Sequence, residues 1–128
     1  MASNGTILLI DSDSSQNISN RGALERRRYT VYTATAIAEA RRILGRLKPD
    51  MIVMEAALPD GDGFAFCREI RGQTSAYILF LTCKGDSEDT KLGFSAGGDM
   101  VMTKPFLMPE LMARVEAAMG RRREVFTS

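Results

Sequence analysis

Four reactive side chains follow four of the short apolar runs in this sequence. They are Asp11, Glu55, Thr82 and Lys104. Carboxylate oxygens are the ligands that Mg²⁺ prefers, while a hydroxyl and an ammonium group can hold the oxygens of a phosphate. If the runs are neighbouring strands, these side chains form a site for a hard cation and a phosphoryl group.

The apolar runs alternate with amphipathic segments, and this alternation predicts strands and helices in turn. The expected strands span residues 6–10, 29–32, 51–54, 77–81 and 100–102. The expected helices span residues 15–28, 36–47, 64–71 and 86–96, with a last helix that begins at Pro109. Three of the strands are continuous apolar runs, as in sheets covered on both faces. The pattern therefore predicts an α/β fold with a doubly wound, parallel, five-stranded sheet and helices on both faces.

Residues 51–63 are the centre of this arrangement. The stretch opens with four apolar residues, places Glu55 where the strand leaves the core, and continues through a loop rich in proline and glycine. In an open parallel sheet, ligands bind beyond the carboxyl ends of the strands. Glu55 is therefore the first candidate for function, and the other three side chains are expected near it.

Length and composition restrict the remaining possibilities. The 128 residues suffice for one domain, assigned to residues 1–122, with 123–128 as a C-terminal tail or linker. The net charge of +1 does not indicate a nucleic-acid surface, and no apolar run is long enough to span a membrane. The lack of histidine excludes histidine-based catalysis and histidine-bound zinc. Two isolated cysteines and no visible signal peptide predict a reducing, cytoplasmic setting.

Five motifs in order along residues 5–120 resemble those of the receiver domains of two-component response regulators. They are ILLID at 7–11, PDM through LPDGDGF at 49–64, LT at 81–82, GGD at 97–99 and TKPF at 103–106. The resemblance implies a flavodoxin-like (βα)5 fold with strand order 2-1-3-4-5. It also implies that an aspartate after strand three takes a phosphoryl group from a histidine kinase, while two acids after strand one hold Mg²⁺. A hydroxyl and a lysine then contact the phosphoryl group, and an aromatic residue on strand five reports its arrival.

The resemblance assigns these roles to particular residues of this sequence. Glu55 takes the phosphoacceptor position. The acidic pocket for the metal falls on Asp11, Ser12, Glu55 and the backbone of Ala57, the phosphate contacts on Thr82 and Lys104, and the switch position on Val101. Asp13 is expected to point elsewhere, and the Lys104–Pro105 peptide bond is expected to be cis. Four positions depart from the family. Glutamate replaces the acceptor aspartate, serine a metal-binding carboxylate, valine the aromatic ring, and Cys83 the small residue after the hydroxyl.

These departures change the chemistry of the site. Glutamate has one more methylene than aspartate, which moves its carboxylate by about 1.5 Å. An error of about 1 Å in a reacting group can cost on the order of 10²-fold in rate. Because Ser12 also lacks a carboxylate, Mg²⁺ can bind but is expected to bind weakly. The expected function requires no cofactor. Glu55 instead places a permanent negative charge within reach of Lys104, as an imperfect mimic of a phosphate ester.

Three functions remain open. The favoured one is an atypical receiver, a signalling and interaction module that is not an enzyme, has no catalytic residue and does not depend on phosphorylation. The second is a working Mg²⁺-dependent phospho-receiver that takes phosphate from a histidine kinase on Glu55 or a neighbouring acid. The third is a pseudo-receiver that senses a ligand. The sequence is most similar to receivers that precede a winged-helix DNA-binding domain, which indicates a role in transcription regulation.

The partner surface is expected on the fourth helix, the fifth strand and the fifth helix, which transmit the signal in the family. Its charged residues are Lys91, Asp99, Glu110 and Arg114. Their mixed signs suit a self-complementary contact, so the predicted partners are a second copy of this chain, its own output domain or a histidine kinase. Neither nucleic acid nor a membrane is expected to contact the domain directly. Leu92 is expected to point inward from the fourth helix.

Overall fold

The computed structural model describes residues 2–83 and 87–127, with side chains described for 2–83 and 88–120. Its strands are β1 (Thr6–Ile10), β2 (Thr30–Ala34), β3 (Met51–Glu55), β4 (Ala57–Leu58), β5 (Gly61–Asp62), β6 (Tyr77–Thr82) and β7 (Met100–Thr103). Its helices are α1 (Ser14–Glu25), α2 (Ile37–Leu44), α3 (Gly63–Ile70), α4 (Ser87–Ser95) and α5 (Met108–Thr127), and a 3₁₀ turn follows α3 at Arg71–Gln73. The predicted start of the fourth helix at Asp86 lies outside the described residues.

Five parallel strands form the main sheet in the order β2-β1-β3-β6-β7. Because β6 and β7 are the fourth and fifth strands of this sheet, the order is the predicted 2-1-3-4-5 arrangement, and the fold prediction is confirmed. The short strands β4 and β5 pair antiparallel in a hairpin that the sequence did not predict. This hairpin lies between Glu55 and α3, beside the expected site.

Alternate residues of the central strands enter two apolar clusters, one on each face of the sheet. Leu8 and Ile10 of β1 belong to the cluster that also contains residues of α2 and α3. Ile7 and Leu9 belong to the cluster that contains residues of α1 and α5. All four side chains are at most 1% exposed. Burial on both faces explains the continuous apolar runs, and it fixes the carboxyl ends of the strands along one edge.

Local sequence explains where α1 begins and where α2 ends. The carboxylate of Asp13 accepts hydrogen bonds from the backbone of Ser15 and Gln16, so Asp13 is the N-cap of α1. The second helix ends at Leu44 rather than at residue 47, because Gly45 follows it and glycine is a poor helix former.

The expectation that Leu92 points inward is wrong. Leu92 is 39% exposed, and the neighbouring Gly93 is buried instead. A Cβ atom at Gly93 would lie 2.7 Å from Cγ2 of Val101 and 3.3 Å from the ring of Phe80. Helix α4 therefore lies so close to β6 and β7 that only glycine fits at the contact. With Gly93 facing the sheet, the side chain of Leu92 points away from the core.

The last helix continues to Thr127, past the position where the sequence analysis begins a tail. Residues 121–127 contain neither proline nor glycine, so no residue in that stretch favours an end to the helix. The domain boundary at residue 122 stays a prediction. Among residues 2–83 and 87–127, no helix has the length and apolar character needed to cross a bilayer.

Candidate functional site

Asp11 lies directly beyond β1, between neighbouring strands on both sides, and is only 2% exposed. Its Oδ1 accepts a hydrogen bond from the backbone N–H of Asp13 at 2.9 Å, and its Oδ2 accepts one from Nζ of Lys104 at 2.6 Å. A buried carboxylate is stable only with such partners, because removing an ion from water is costly. The carboxylate of Asp13 itself turns to α1, as the cap of that helix.

Glu55 is the last residue of β3, and its side chain is 12% exposed. One carboxylate oxygen, Oε1, accepts hydrogen bonds from the backbone N–H of Ser12 at 3.0 Å and from the hydroxyl of Ser12 at 2.7 Å. The other oxygen, Oε2, accepts a hydrogen bond from Nζ of Lys104 at 3.1 Å. Ser12 thus binds the carboxylate of Glu55 with two donors, where a second acid would repel it.

Lys104 follows β7 and joins the two carboxylates. Its backbone N–H donates to the carbonyl of Thr82 at 2.7 Å, which ties the residue to the end of β6. Its side chain is 17% exposed, and the ammonium group lies between Asp11 and Glu55. The Lys104–Pro105 peptide bond is cis. The sequence-predicted Asp11, Ser12, Glu55 and Lys104 therefore form one hydrogen-bonded network, which we call the rim network.

The rim network keeps its charged groups ionised. Burial raises the pKa of Glu55, but the hydrogen bonds from the Ser12 N–H, the Ser12 hydroxyl and Lys104 together lower that pKa below its ordinary value. Burial likewise lowers the pKa of Lys104, but its bonds to Asp11 and Glu55 raise that pKa above its ordinary value. At neutral pH Glu55 is therefore a carboxylate and Lys104 an ammonium ion.

Thr82 lies at the end of β6, 2% exposed, and its hydroxyl turns to α4 rather than to Glu55. The Thr82 hydroxyl donates a hydrogen bond to Oδ2 of Asp89 at 2.8 Å. The sequence analysis did not single out Asp89. The only feature of the sequence that points to Asp89 is its place in the first turn of a helix, where carboxylates are common.

A cavity of about 340 Å³ opens beside Glu55, between the β4–β5 hairpin, the end of β6 and α4. Its walls are formed by Glu55, Ala56, Ala57, Asp62, Phe64, Leu81, Thr82, Cys83, Asp89 and Leu92. Ala57, whose backbone was assigned to the metal pocket, lies in β4 opposite Asp62. The cavity combines an apolar wall with several carboxylates, so it does not resemble a site built only for an anion.

Val101 occupies the switch position on β7, level with Phe80 of β6. It is partly buried against the apolar cluster that contains Phe64 and Phe80, whose rings meet edge to face with centroids 4.8 Å apart. Together with Gly93 it forms the contact between α4 and the sheet. Small residues on both sides of this contact let the helix approach closely.

The four predicted charges of the partner surface lie at the protein surface, but one of them is already bonded. Lys91, Glu110 and Arg114 are exposed, and so is Asp99. However, Oδ2 of Asp99 accepts a hydrogen bond from the backbone N–H of Ile78 at 2.9 Å and lies 3.5 Å from a guanidinium nitrogen of Arg71. Asp99 therefore has a structural contact within the domain, which the sequence analysis missed.

The Mg²⁺ ion that the resemblance implies finds a poor set of donors here. Oδ2 of Asp11 and Oε2 of Glu55 both bond Lys104, and Ser12 offers only a neutral hydroxyl. Within the described part of the chain, no group of three or more His, Cys, Asp or Glu side chains is placed to hold a metal ion. Because an ammonium group already joins the two carboxylates, these residues do not fit a tight Mg²⁺ site.

Comparison with known proteins identifies relatives of this chain. The family model for the response regulator receiver domain matches residues 7–116. The chain is 40% identical over 119 residues to the alkaline phosphatase synthesis transcriptional regulatory protein PhoP of Bacillus subtilis (strain 168), covering 92% of this chain and 50% of that protein. It is 33% identical over 116 residues to the transcriptional regulatory protein AfsQ1 of Streptomyces coelicolor, covering 91% of this chain and 52% of that protein. The chain thus spans about half the length of these relatives.

Solved structures agree with the sequence comparison. A two-component response regulator from Clostridium difficile has a TM-score of 0.88 and 31% identity, covering 91% of this chain and 97% of that chain. The match to the family model over most of the chain, together with these relatives, shows that the chain belongs to the response regulator receiver domain family.

Proposed function

We propose that this domain is an atypical receiver, a signalling and interaction module without enzymatic activity whose output does not depend on phosphorylation. The observation that carries the proposal is that both carboxylate oxygens of Glu55 are held, one by Ser12 and the other by Lys104. A phosphoryl group on Glu55 would need to take over these contacts. The domain therefore holds its site in one arrangement by means of its own residues.

The charge of Glu55 supports the same proposal. A phosphate ester brings about −1.5 to −2 charge and three acceptor oxygens, whereas a carboxylate brings one charge and two oxygens. Glu55 and Asp11 together give Lys104 two carboxylate partners without any phosphoryl group. The ionised Glu55 acts as a permanent, partial substitute for the modification.

A working phospho-receiver is the second candidate. Its support is the retention of Lys104 and Thr82 beside an open cavity that Glu55 lines. Against it stand the occupied oxygens of Glu55 and the poor donor set for Mg²⁺. Asp11 is not a better acceptor, because it is 2% exposed and already bonded to Lys104 and to the backbone of Asp13.

The output surface of the proposed module is the face formed by α4, β7 and α5. Phe94, which the sequence analysis missed, is 49% exposed. Because Lys91 and Phe94 are three residues apart on a helix, they share one side of α4. Phe94 offers the apolar centre that a symmetric dimer needs, since exposed ion pairs contribute only about 0–1 kcal/mol each.

The close contact of Gly93 with Val101 supports a fixed output surface. The place where the family has a mobile aromatic ring holds a valine, and α4 is packed directly against it. Because α4 is packed directly on the sheet, it has no free space into which it could move. We therefore expect the surface to keep one state rather than to switch between two.

Sedimentation velocity at low and high salt tests the surface. Exchanging Phe94→Ser should weaken self-association at least about tenfold, by removing a large apolar side chain from the centre of the contact. Ile18→Ser is the matched control, because Ile18 is 71% exposed on α1, which is not one of the elements of this face. If Ile18→Ser disrupts the dimer and Phe94→Ser does not, the proposed face is not the dimer interface.

The relatives named above are transcriptional regulators, and this chain spans about half their length. The proposal therefore includes a role in transcription regulation, with a histidine kinase or the protein's own output domain as protein partners. It also includes a reducing, cytoplasmic compartment, supported by two free cysteines, Cys67 and Cys83. Direct contact with nucleic acid or a membrane is not part of the proposed role.

Phosphorylation with a small-molecule donor tests the proposal. The protein is incubated with acetyl phosphate and Mg²⁺ and its intact mass is measured. The wild type should stay unmodified, whereas the double variant Ser12→Asp with Glu55→Asp should gain one phosphoryl group. A stoichiometric gain by the wild type that is lost in Glu55→Gln would overturn the proposal. A double variant that stays inert would show that these two positions do not explain the difference.

A further inference from the structure

The turn of the β4–β5 hairpin bonds the first turn of α2. The carboxylate of Asp60 accepts hydrogen bonds from the backbone N–H of Ile37 at 2.8 Å and from that of Ala38 at 3.0 Å. The local cap residue, Ala36, makes no side-chain hydrogen bond to the helix. N-terminal amides of a helix need acceptors, and a carboxylate there is also favoured by the helix dipole. Asp60 thus caps a helix from a different element of the fold.

Apolar packing holds the hairpin in the same place. Leu58 of β4 is 8% exposed and belongs to the same apolar cluster as Ile37. A Cβ atom at Gly61 would lie 2.9 Å from Cδ1 of Ile37, so the hairpin backbone approaches the helix closely. The two hydrogen bonds to Asp60 therefore add to a close packing contact between the hairpin and α2.

Gly63, which follows the hairpin directly and begins α3, lies close to the backbone of Glu55. The backbone N–H of Gly63 donates to the carbonyl of Ala56 at 2.7 Å. A Cβ atom at Gly63 would lie 2.5 Å from the carbonyl oxygen of Glu55. There is consequently little room for the hairpin to move without moving the end of β3, from which the side chain of Glu55 reaches Ser12 and Lys104.

We infer that Asp60 is a positioning residue for Glu55: by fixing the β4–β5 hairpin on α2, it holds the Glu55 carboxylate in its contacts with Ser12 and Lys104. The bonds from Ile37 and Ala38 hold the pKa of Asp60 below its usual range, so the carboxylate is ionised when it makes them. The inference deepens the proposed function, since it names what keeps Glu55 in place, but it rests on the geometry of the hairpin alone.

Exchanging Asp60→Ala tests the inference through groups that Asp60 does not touch. The readouts are hydrogen exchange of the Ser12 amide, which donates to Glu55, and the carboxyl titration of Glu55 by NMR. The variant should speed exchange at Ser12 about fivefold, the loss of a typical helix cap, and should raise the titration midpoint of Glu55. Asp60→Asn keeps one side-chain acceptor and should fall between the wild type and Asp60→Ala.

Glu39→Ala is the matched control. Oε1 of Glu39 accepts a hydrogen bond from the backbone of Thr35 at 2.8 Å, so this exchange disturbs the same end of α2 without touching the hairpin. It should leave the Ser12 amide and the Glu55 titration unchanged. If neither Asp60 variant moves these readouts, or if Glu39→Ala moves them equally, the inference is wrong. These measurements are made without a phosphodonor. Phosphorylation of the wild type in the separate mass assay would therefore overturn the proposed function without deciding this inference.

Discussion

Two cations each join several oxygen atoms at opposite ends of the same sheet. At the carboxyl end, the ammonium group of Lys104 bonds the carboxylates of Asp11 and Glu55. At the amino end, the guanidinium group of Arg71 bonds three backbone carbonyls and reaches the carboxylate of Asp99. The carbonyl partners are those of Gly97, Thr74 and Ala76, at 2.9, 3.0 and 2.7 Å.

The partners explain why we propose a functional site at only one of these two networks. Lys104 bonds two side-chain carboxylates, so the charge of its network depends on ionisable groups. Arg71 bonds mostly main-chain carbonyl oxygens, which do not titrate and whose positions are fixed by the backbone. We infer that the network at the carboxyl end sets the signalling state, whereas the network at the amino end fastens the loops before β6 and β7.

Removing Lys104 should have the largest effect. In Lys104→Met the carboxylates of Asp11 and Glu55 lose their shared cation, which should cost about 3 kcal/mol of unfolding free energy at neutral pH. The loss should shrink as the pH falls through the lowered pKa of Glu55, where that carboxylate takes up a proton. Urea unfolding at several pH values measures this, with Lys48→Met as a control at an exposed lysine. Equal losses in the two variants would show that the rim network adds nothing to stability.

Removing Arg71 should have a somewhat smaller effect with a different pH dependence. In Arg71→Met three carbonyls lose a charged donor, which should cost about 2 kcal/mol. Because carbonyls do not titrate, the loss should stay constant between about pH 5 and pH 8. The control is Arg21→Met, which breaks an exposed pair with Glu25 and should cost less than about 1 kcal/mol. A loss that follows pH as in Lys104→Met would remove the distinction between the two networks.

Neutralising Glu55 should have the smallest effect of the three. Because the fold lowers the pKa of Glu55, its charge stabilises the folded state at pH values above the unfolded pKa of about 4.3. That contribution disappears as the pH falls through the lower pKa of the folded state. Glu55→Gln should therefore be less stable than the wild type by about 1 kcal/mol at neutral pH and equally stable in acid. A difference that grows towards low pH would have the wrong sign.

The sequence was sufficient to predict that Asp11, Glu55 and Lys104 lie together at one edge of the sheet. Asp11, Glu55 and Lys104 each follow an apolar run, and parallel strands bring such positions to one edge. The bonding of Ser12 to Glu55 was not predicted, because the sequence analysis treated the serine only as a lost carboxylate. A hydroxyl and an amide aimed at the longer glutamate side chain depend on the positions of both backbones.

The network at the amino end could not be predicted in the same way. Arg71 and Asp99 look like solvated charges in the sequence, and a backbone carbonyl leaves no pattern in residue types. The same limitation applies to Asp60, whose partners on α2 lie 22 and 23 residues away. It also applies to Gly93, since only the three-dimensional approach of α4 to β7 turns that glycine inward and Leu92 outward.

An NMR titration with Mg²⁺ and beryllofluoride, a mimic of the phosphoryl group, tests the central claim most directly. The backbone amides of Ser12, Glu55 and Val101 report the rim network and the output surface. The wild type should show no saturable shift at these amides, while the Ser12→Asp, Glu55→Asp double variant should shift at positions 12 and 55. Saturable shifts in the wild type that extend from Glu55 to Val101 would mean that the domain still switches, and would contradict a site held in one arrangement by its own residues.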